Sequence, residues 1–235
     1  MCSSSMKMMT MHSYDGIIFD FNGTLVWDTG LHEKAWIAFS DKIGNPVDVE
    51  TYYRDIHGKT TKNILEMLLG HEVDENEIAE LSREKEALYR KICLENPQTF
   101  VLAPGVEEFL DYVRANEIPM NIATASEIEN VEFFIEYFSL EKWFDISRIV
   151  YDDGKVANKP EPDIYIQAAK NLGIAPERLV MIEDSYSGIV AASRSGCGYL
   201  IATGEPTRNH QNISKHPEVD QLIVDFSEID KTMLC

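Results

Sequence analysis

Cysteine is scarce in this chain, basic residues are outnumbered, and long apolar runs are missing. The four cysteines, Cys2, Cys93, Cys197 and Cys235, are scattered through 235 residues, with no CxxC pair and no histidine at zinc-ligand spacing. That spacing argues against a disulfide framework and a structural zinc site, and a reducing cytoplasm is the expected compartment. Apolar runs stay short, as at Leu179 to Ile182 and Leu222 to Val224. A membrane-spanning helix needs roughly 20 such residues, so no membrane partner is expected. The Met- and Ser-rich start lacks the apolar stretch of a signal peptide, and residues 1–13 read as a disordered tail.

Positive charge is the other shortage. Lysine and arginine total 21 against 40 acids, a formal net charge of -19. Such a chain repels nucleic acid and anionic membrane surfaces. It repels a phosphorylated substrate too. A phosphate site here must therefore carry local positive charge, from a metal ion, from lysines or from backbone N–H groups.

What is present is 44% hydrophobic residues, enough for a sizeable core, arranged in a recurrent pattern. Short apolar runs occur at Gly16 to Phe19, Met120 to Thr124, Ile146 to Val150, Leu179 to Glu183, Tyr199 to Ala202 and Leu222 to Val224. Their length and Ile/Val/Phe content predict buried strands. Helical patterns lie between them, at Val106 to Ala115, Ser126 to Phe138, Asp163 to Leu172 and Ser187 to Ser195. Alternation of this kind predicts an α/β fold with a Rossmann-like, doubly wound parallel sheet. Residues 29–100 break the rhythm with three helical stripes: Leu31, Ala35, Phe39 and Ile43; Ile64 and Leu68; Ile78, Leu81, Leu88 and Ile92. The expected organisation is a core of 14–28 and 101–235 with a small α-helical domain inserted at 29–100.

Ligands of open parallel sheets bind beyond the carboxyl ends of the strands. Asp20, Thr124 and the Glu183-Asp184 pair all fall at such ends, and Lys159 lies in a loop opening on the same edge. Asp20 has the position of a nucleophile or metal ligand, or of a plain turn-forming acid. Two adjacent acids repel unless a cation or hydrogen bonds compensate, and hard oxygen ligands suit Mg²⁺; the competing reading is an acidic turn with Asp184 or Ser185 capping the next helix. Thr124 opens either an anion site at a helix N-terminus or an ordinary cap. Lys159 beside Pro160 is a fixed ammonium or one more surface lysine.

Taken together, Asp20-Phe21-Asn22-Gly23-Thr24-Leu25, Thr124, Lys159-Pro160 and Glu183-Asp184-Ser185 resemble the four ordered motifs of the haloacid dehalogenase superfamily. Within it the chain is most similar to the β-phosphoglucomutase-like group. The resemblance implies a Mg²⁺-dependent phosphatase or phosphotransferase for a small phosphorylated metabolite, such as a sugar phosphate, working as a monomer or weak dimer. Asp20 would attack phosphorus and form an aspartyl-phosphate. Asp20, the Asn22 carbonyl, Glu183 and Asp184 would hold Mg²⁺. Thr124, the N–H of Ala125 and Lys159 would bind the phosphoryl oxygens. The inserted helices would form a cap, with His32, Lys59 and Lys62 facing substrate.

One position departs from the family pattern. Its phosphatases carry an acid/base Asp two residues after the nucleophile, and here that residue is Asn22. An amide neither takes nor gives a proton at neutral pH, and loss of acid–base help costs roughly 10²- to 10⁴-fold. Slow turnover is expected unless His32 substitutes, the leaving group is good, or Asn22 deamidates. The alternative is a weak or inactive relative that binds Mg²⁺ and phosphate as a sensor or partner. A dehalogenase ranks last, because such relatives lack the Glu183-Asp184 pair. Thr61 takes the place of the mutase's phosphate-binding arginine, and Lys59 or Lys62 offers only a point charge there.

Overall fold

A computed structural model describes residues 13–205 and 216–234. Apart from Ser13, the expected tail at 1–13 lies outside these residues, as do Cys2 and Cys235. Cys93 and Cys197 are free thiols. No helix among the described residues is long and apolar enough to cross a membrane.

Six parallel strands form one sheet: β1 (Gly16–Phe19), β2 (Met120–Glu127), β3 (Val150–Asp152), β4 (Leu179–Glu183), β5 (Tyr199–Ala202) and β6 (Gln221–Leu222), in the order β3-β2-β1-β4-β5-β6. This is the doubly wound α/β arrangement. Strand residues alternate between two buried faces: Ile17, Phe19, Val180 and Ile182 enter one hydrophobic cluster, while Ile18, Leu179 and Met181 enter the other. Burial on both faces is why these strands read as continuous apolar runs rather than alternating ones. Helices α5 (Val106–Ala115), α6 (Ile128–Phe138), α7 (Asp163–Leu172) and α8 (Tyr186–Arg194) pack around the sheet. In α5 the apolar spacing Val106, Phe109, Leu110, Val113 is fully buried, at roughly 1.5–3 kcal/mol for each large side chain.

Between β1 and α5 come α1 (Thr29–Lys42), α2 (Val49–Thr51) running into a π-helical turn (Tyr52–Ile56), α3 (Thr61–Leu69) and α4 (Glu75–Glu95). Asp74 starts α4 by accepting from the N–H groups of Asn76 and Glu77. The outer part of this insert has its own cluster, from Trp36 through Val73. Its base does not: Leu31, Ala35, Tyr89 and Cys93 pack into the main core.

Several boundaries differ from expectation. The third strand begins at Val150, not Ile146, because Asp145 caps a 3-10 turn over Ile146–Arg148. The last is Gln221–Leu222. Helix α6 starts at Ile128 rather than Ser126, because β2 continues to Glu127 through a register shift against β3. Thr124 therefore sits at an irregular strand end, not at a helix N-terminus. On α4 the buried row is Ser82, Lys85, Tyr89 and Cys93. The apolar stripe Ile78, Leu81, Leu88 is only half-buried, packed on the outer cluster.

Candidate active site

The strand order changes direction at the β1/β4 pair, where β1 has β2 on its other side. Phe19 lies opposite Ile182 in β4 and Ile122 in β2. The residues that follow, Asp20, Glu183 and Thr124, therefore emerge together at one sheet edge. Asp20 and Thr124 line a cavity of about 690 Å³, with Glu183 buried against it, that also takes in His32, Trp36, Lys59 and Thr61 from the insert.

Lys159 ties the acids together. Its ammonium donates to Asp20 Oδ1 and to Glu183 Oε1, both at 2.5 Å. Its own burial opposes the charge, but those two carboxylates hold its pKa above the ordinary lysine value. Glu183 is fully buried and its oxygens are occupied. Oε1 also accepts from Tyr165 Oη, and Oε2 accepts from the N–H groups of Asp184 and Ser185 and from Ser185 Oγ. Burial disfavours its charge, yet Lys159 and these donors keep its pKa low. Gly188 makes room for it, since a Cβ there would fall 1.8 Å from Glu183 Oε1.

Asp20 is less well satisfied. It is 6% exposed, and its Oδ2 has no protein hydrogen-bond partner. Burial raises its pKa to about 7, with Glu183 adding to the rise and Lys159 opposing it. Asp184, at the cavity edge, is raised by burial and then by Asp20 and Glu183. Gly23, at φ 81°, lets the turn after Asp20 lie against Asp184, whose Oδ2 would be 2.1 Å from any Cβ. Carboxylate oxygens of Asp20, Glu183 and Asp184 all lie within 4.8 Å of one another. A buried orphan oxygen inside crowded acids, with only hard oxygen donors, fits a small divalent cation such as Mg²⁺.

Asn22 is held at both ends. Its Nδ2 donates to Asp28 Oδ2 at 2.6 Å, and its Oδ1 accepts from Ser126 Oγ at 2.7 Å. Asp28 is 1% exposed and also accepts from Gly23 N and Tyr89 Oη. Burial penalises its charge, but His32, Tyr89 and Asn22 hold its pKa below the usual range. The Gly23 nitrogen, which would have to attack the Asn22 side chain during deamidation, instead donates to Val26 O and Asp28 Oδ1. The turn opposes that route.

His32 stacks on Tyr89 with ring centroids 3.9 Å apart. Lys85 Nζ lies 3.1 Å from His32 Nδ1, and Asp28 Oδ2 lies 3.4 Å from Nε2. An ammonium only donates, so Nδ1 accepts and the ring proton faces Asp28. Both ring nitrogens are engaged by protein.

Of the residues expected at the site, Asp20, Asn22, His32, Lys59, Thr124, Ala125, Lys159 and Asp184 line the cavity, with Glu183 buried against it. Lys62 does not line it; it runs along α3 toward Glu66, 3.7 Å away. Asp28, Lys85, Tyr89 and Ser126 were missed. The spacing Ser82, Lys85, Tyr89 on one helical face was the available signal for two of them.

A family model for haloacid dehalogenase-like hydrolases matches residues 14–196. The chain belongs to that family. As a haloacid dehalogenase-like hydrolase it is an enzyme. It is 29% identical over 77% of its length, and 82% of the relative's, to a phosphorylated carbohydrates phosphatase of Thermotoga maritima. A family IA, variant 3 hydrolase of this family from Entamoeba histolytica superposes with a TM-score of 0.87 at 32% identity, covering 93% of this chain and 96% of that one. The CbbY protein of Rhodobacter sphaeroides, solved as a mutant with xylulose-(1,5)bisphosphate, superposes at 0.76 and 27% identity, covering 92% and 96%.

Proposed function

We propose that this hydrolase is a Mg²⁺-dependent phosphatase for small phosphorylated metabolites of the sugar phosphate type, acting through an aspartyl-phosphate on Asp20. The observation that carries the reading is Asp20 itself, a buried carboxylate with one oxygen held by Lys159 and the other without a protein partner. Asp20, Asp184 and the Asn22 carbonyl would hold the cation, with Glu183 behind them. When bound, Mg²⁺ would neutralise the crowded acids and the phosphoryl charge.

The Asp20 carboxylate attacks phosphorus, the ester P–O bond breaks, and the sugar oxygen leaves. Water then cleaves the acyl-phosphate and frees phosphate, regenerating Asp20. Lys159, Thr124 and the Ala125 N–H neutralise the transferring oxygens, answering the need for local positive charge in an acidic chain. Glu183 is fixed by its many donors and orients Lys159. The inserted helices of residues 29–100 act as a cap, presenting His32 and Lys59 and excluding water.

Asn22 supplies no proton, and His32 has both nitrogens engaged, so turnover is slow and favours esters with good leaving groups. The tethered Asn22 amide also supports a second reading, a weak or inactive relative that binds phosphate with Mg²⁺. Phosphate release from a panel of sugar phosphates and an aryl phosphate, with Mg²⁺ or chelator, separates the two. Release that stops on chelation and in Asp20→Asn supports the enzyme. Binding without release from any ester supports the second reading.

A further inference from the structure

The cavity walls differ in charge. At the sheet edge stand Lys159, Thr124 and Ala125, where the proposed reaction would place its phosphate. The remaining lining brings in Asp28, Glu86, Glu127 and Asp152, with Lys59 the lysine set against them. No arginine lines the cavity among the described residues. Two nearby cations, Lys85 and Arg90, are already committed. Lys85 is buried with its ammonium on His32 and, at 2.7 Å, on Glu86. Arg90 donates to Asn130 Oδ1 at 2.6 Å. Arg83 acts on Glu127 only as the smallest of the charges around it.

Glu86, on α4 of the insert, and Glu127, at the end of β2, both line the cavity and lie close enough for their charges to interact. Glu86 Oε2 accepts from Asn130 Nδ2 at 2.7 Å, which fixes it across the gap between the helices. Partial burial of its carboxyl, then Glu86, Glu129 and Asp152, already disfavours charge on Glu127, although the residue as a whole is exposed. With Glu86 offset by Lys85, a further anion placed here would meet the carboxylates of Glu127 and Asp152 and no guanidinium fork. Hydroxyl and ammonium groups would instead find acceptors.

We infer that this acidic wall selects esters carrying one phosphate on a neutral hydroxylated or amino-bearing body, and rejects a second phosphate or a carboxylate. The inference rests on the phosphatase reading for where the first phosphate binds. It sets the chain apart from the relative solved with a bisphosphate, and it disfavours a mutase, which must hold a bisphosphate between its two transfers.

The test uses matched pairs with Mg²⁺: fructose 1-phosphate against fructose 1,6-bisphosphate, glucose 6-phosphate against glucose 1,6-bisphosphate, and glucosamine 6-phosphate against 6-phosphogluconate. Phosphate release gives kcat/KM, and calorimetry on Asp20→Asn gives Kd. The first member of each bisphosphate pair is expected to be favoured by about 100-fold, since like charges brought together cost several kcal/mol. Glu127→Lys, at an exposed position, should narrow that ratio at least about tenfold, and Glu86→Gln should narrow it less. Thermal melts report whether each variant is folded. Bisphosphates bound or cleaved as well as monophosphates overturn the inference, as does a ratio unmoved in folded Glu127→Lys. Absence of release from every ester sinks the phosphatase reading alone, because the ratio of dissociation constants still decides this one.

Discussion

The side-chain amide of Asn22 donates to the buried carboxylate of Asp28 at 2.6 Å. Asp28 is an acceptor here, and Ser126 donates to the other end of the amide, so an amide and not a carboxyl is what this pocket accommodates. The position that the resemblance assigns to an acid/base Asp thus holds a neutral amide, hydrogen-bonded at both ends.

Asn22→Asp therefore sets two buried carboxyl groups against each other. The variant should lose about 1.5–3 kcal/mol, the usual worth of a hydrogen bond to a charged group. Adding Asp28→Asn should return most of that stability, and the double variant should release phosphate faster than wild type, within the roughly 10²- to 10⁴-fold range of acid–base help. Urea unfolding of the two single variants and the double variant measures the coupling; additive losses would contradict it.

Stability of the metal-free protein should fall with rising pH because of Asp20. Its folded pKa, about 7, lies above the unfolded value of 3.8. Between those values the folded state holds a proton that the unfolded state has released, so its contribution is full below the unfolded pKa and is lost as pH passes the folded one. Melting temperatures from pH 4 to pH 8 in chelator should show a slope that flattens in Asp20→Asn. Glu183, whose pKa is lowered, contributes in the opposite sense at the acid end.

Mg²⁺ should raise the melting temperature at pH 8. A site filled at 100 times its Kd stabilises by about 2.7 kcal/mol. Asp184→Asn should abolish most of this response, because Asp184 contributes an oxygen to the acidic cluster without the covering donors that Glu183 has. Titration calorimetry and thermal melts with and without chelator check it. An unchanged response in that variant would remove Asp184 from the ligand set.

Gly188→Ala should be costly despite adding one methyl group. The new Cβ would fall 1.8 Å from Glu183 Oε1, and Glu183 is held by Lys159, Tyr165 and Ser185. Overpacking of this kind costs about 1–3 kcal/mol. Any shift of Glu183 also moves Lys159, so kcat should fall along with the unfolding midpoint. Gly58→Ala, with open space around its Cβ but a positive φ of 76°, is the comparison for backbone strain alone.

The sheet and its edge residues were legible because their signals are local. Gly16–Phe19 and Leu179–Glu183 are short apolar runs ending in acid, and topology brings such ends together. The Asn22–Asp28–Tyr89 contacts were not legible, because Tyr89 is 67 residues from Asn22 and reaches it only through the path of the insert. The α4 face was misread for a related reason. Apolar periodicity marks the side packed on the outer cluster, whereas Lys85 is buried by Trp36, Tyr89 and Glu86. The start of α6 was missed because the irregular end of β2 depends on its pairing with β3.

The division of the insert's apolar side chains between two clusters limits how it can open. Leu31, Ala35, Tyr89 and Cys93 belong to the sheet's own interior, and Tyr89 is hydrogen-bonded to Asp28. A swing of the whole insert would have to uproot them and strand a buried acid. The outer lobe, from Trp36 to Val73, packs in a separate cluster. Any opening that spares these contacts would have to bend within the helices, above a fixed root.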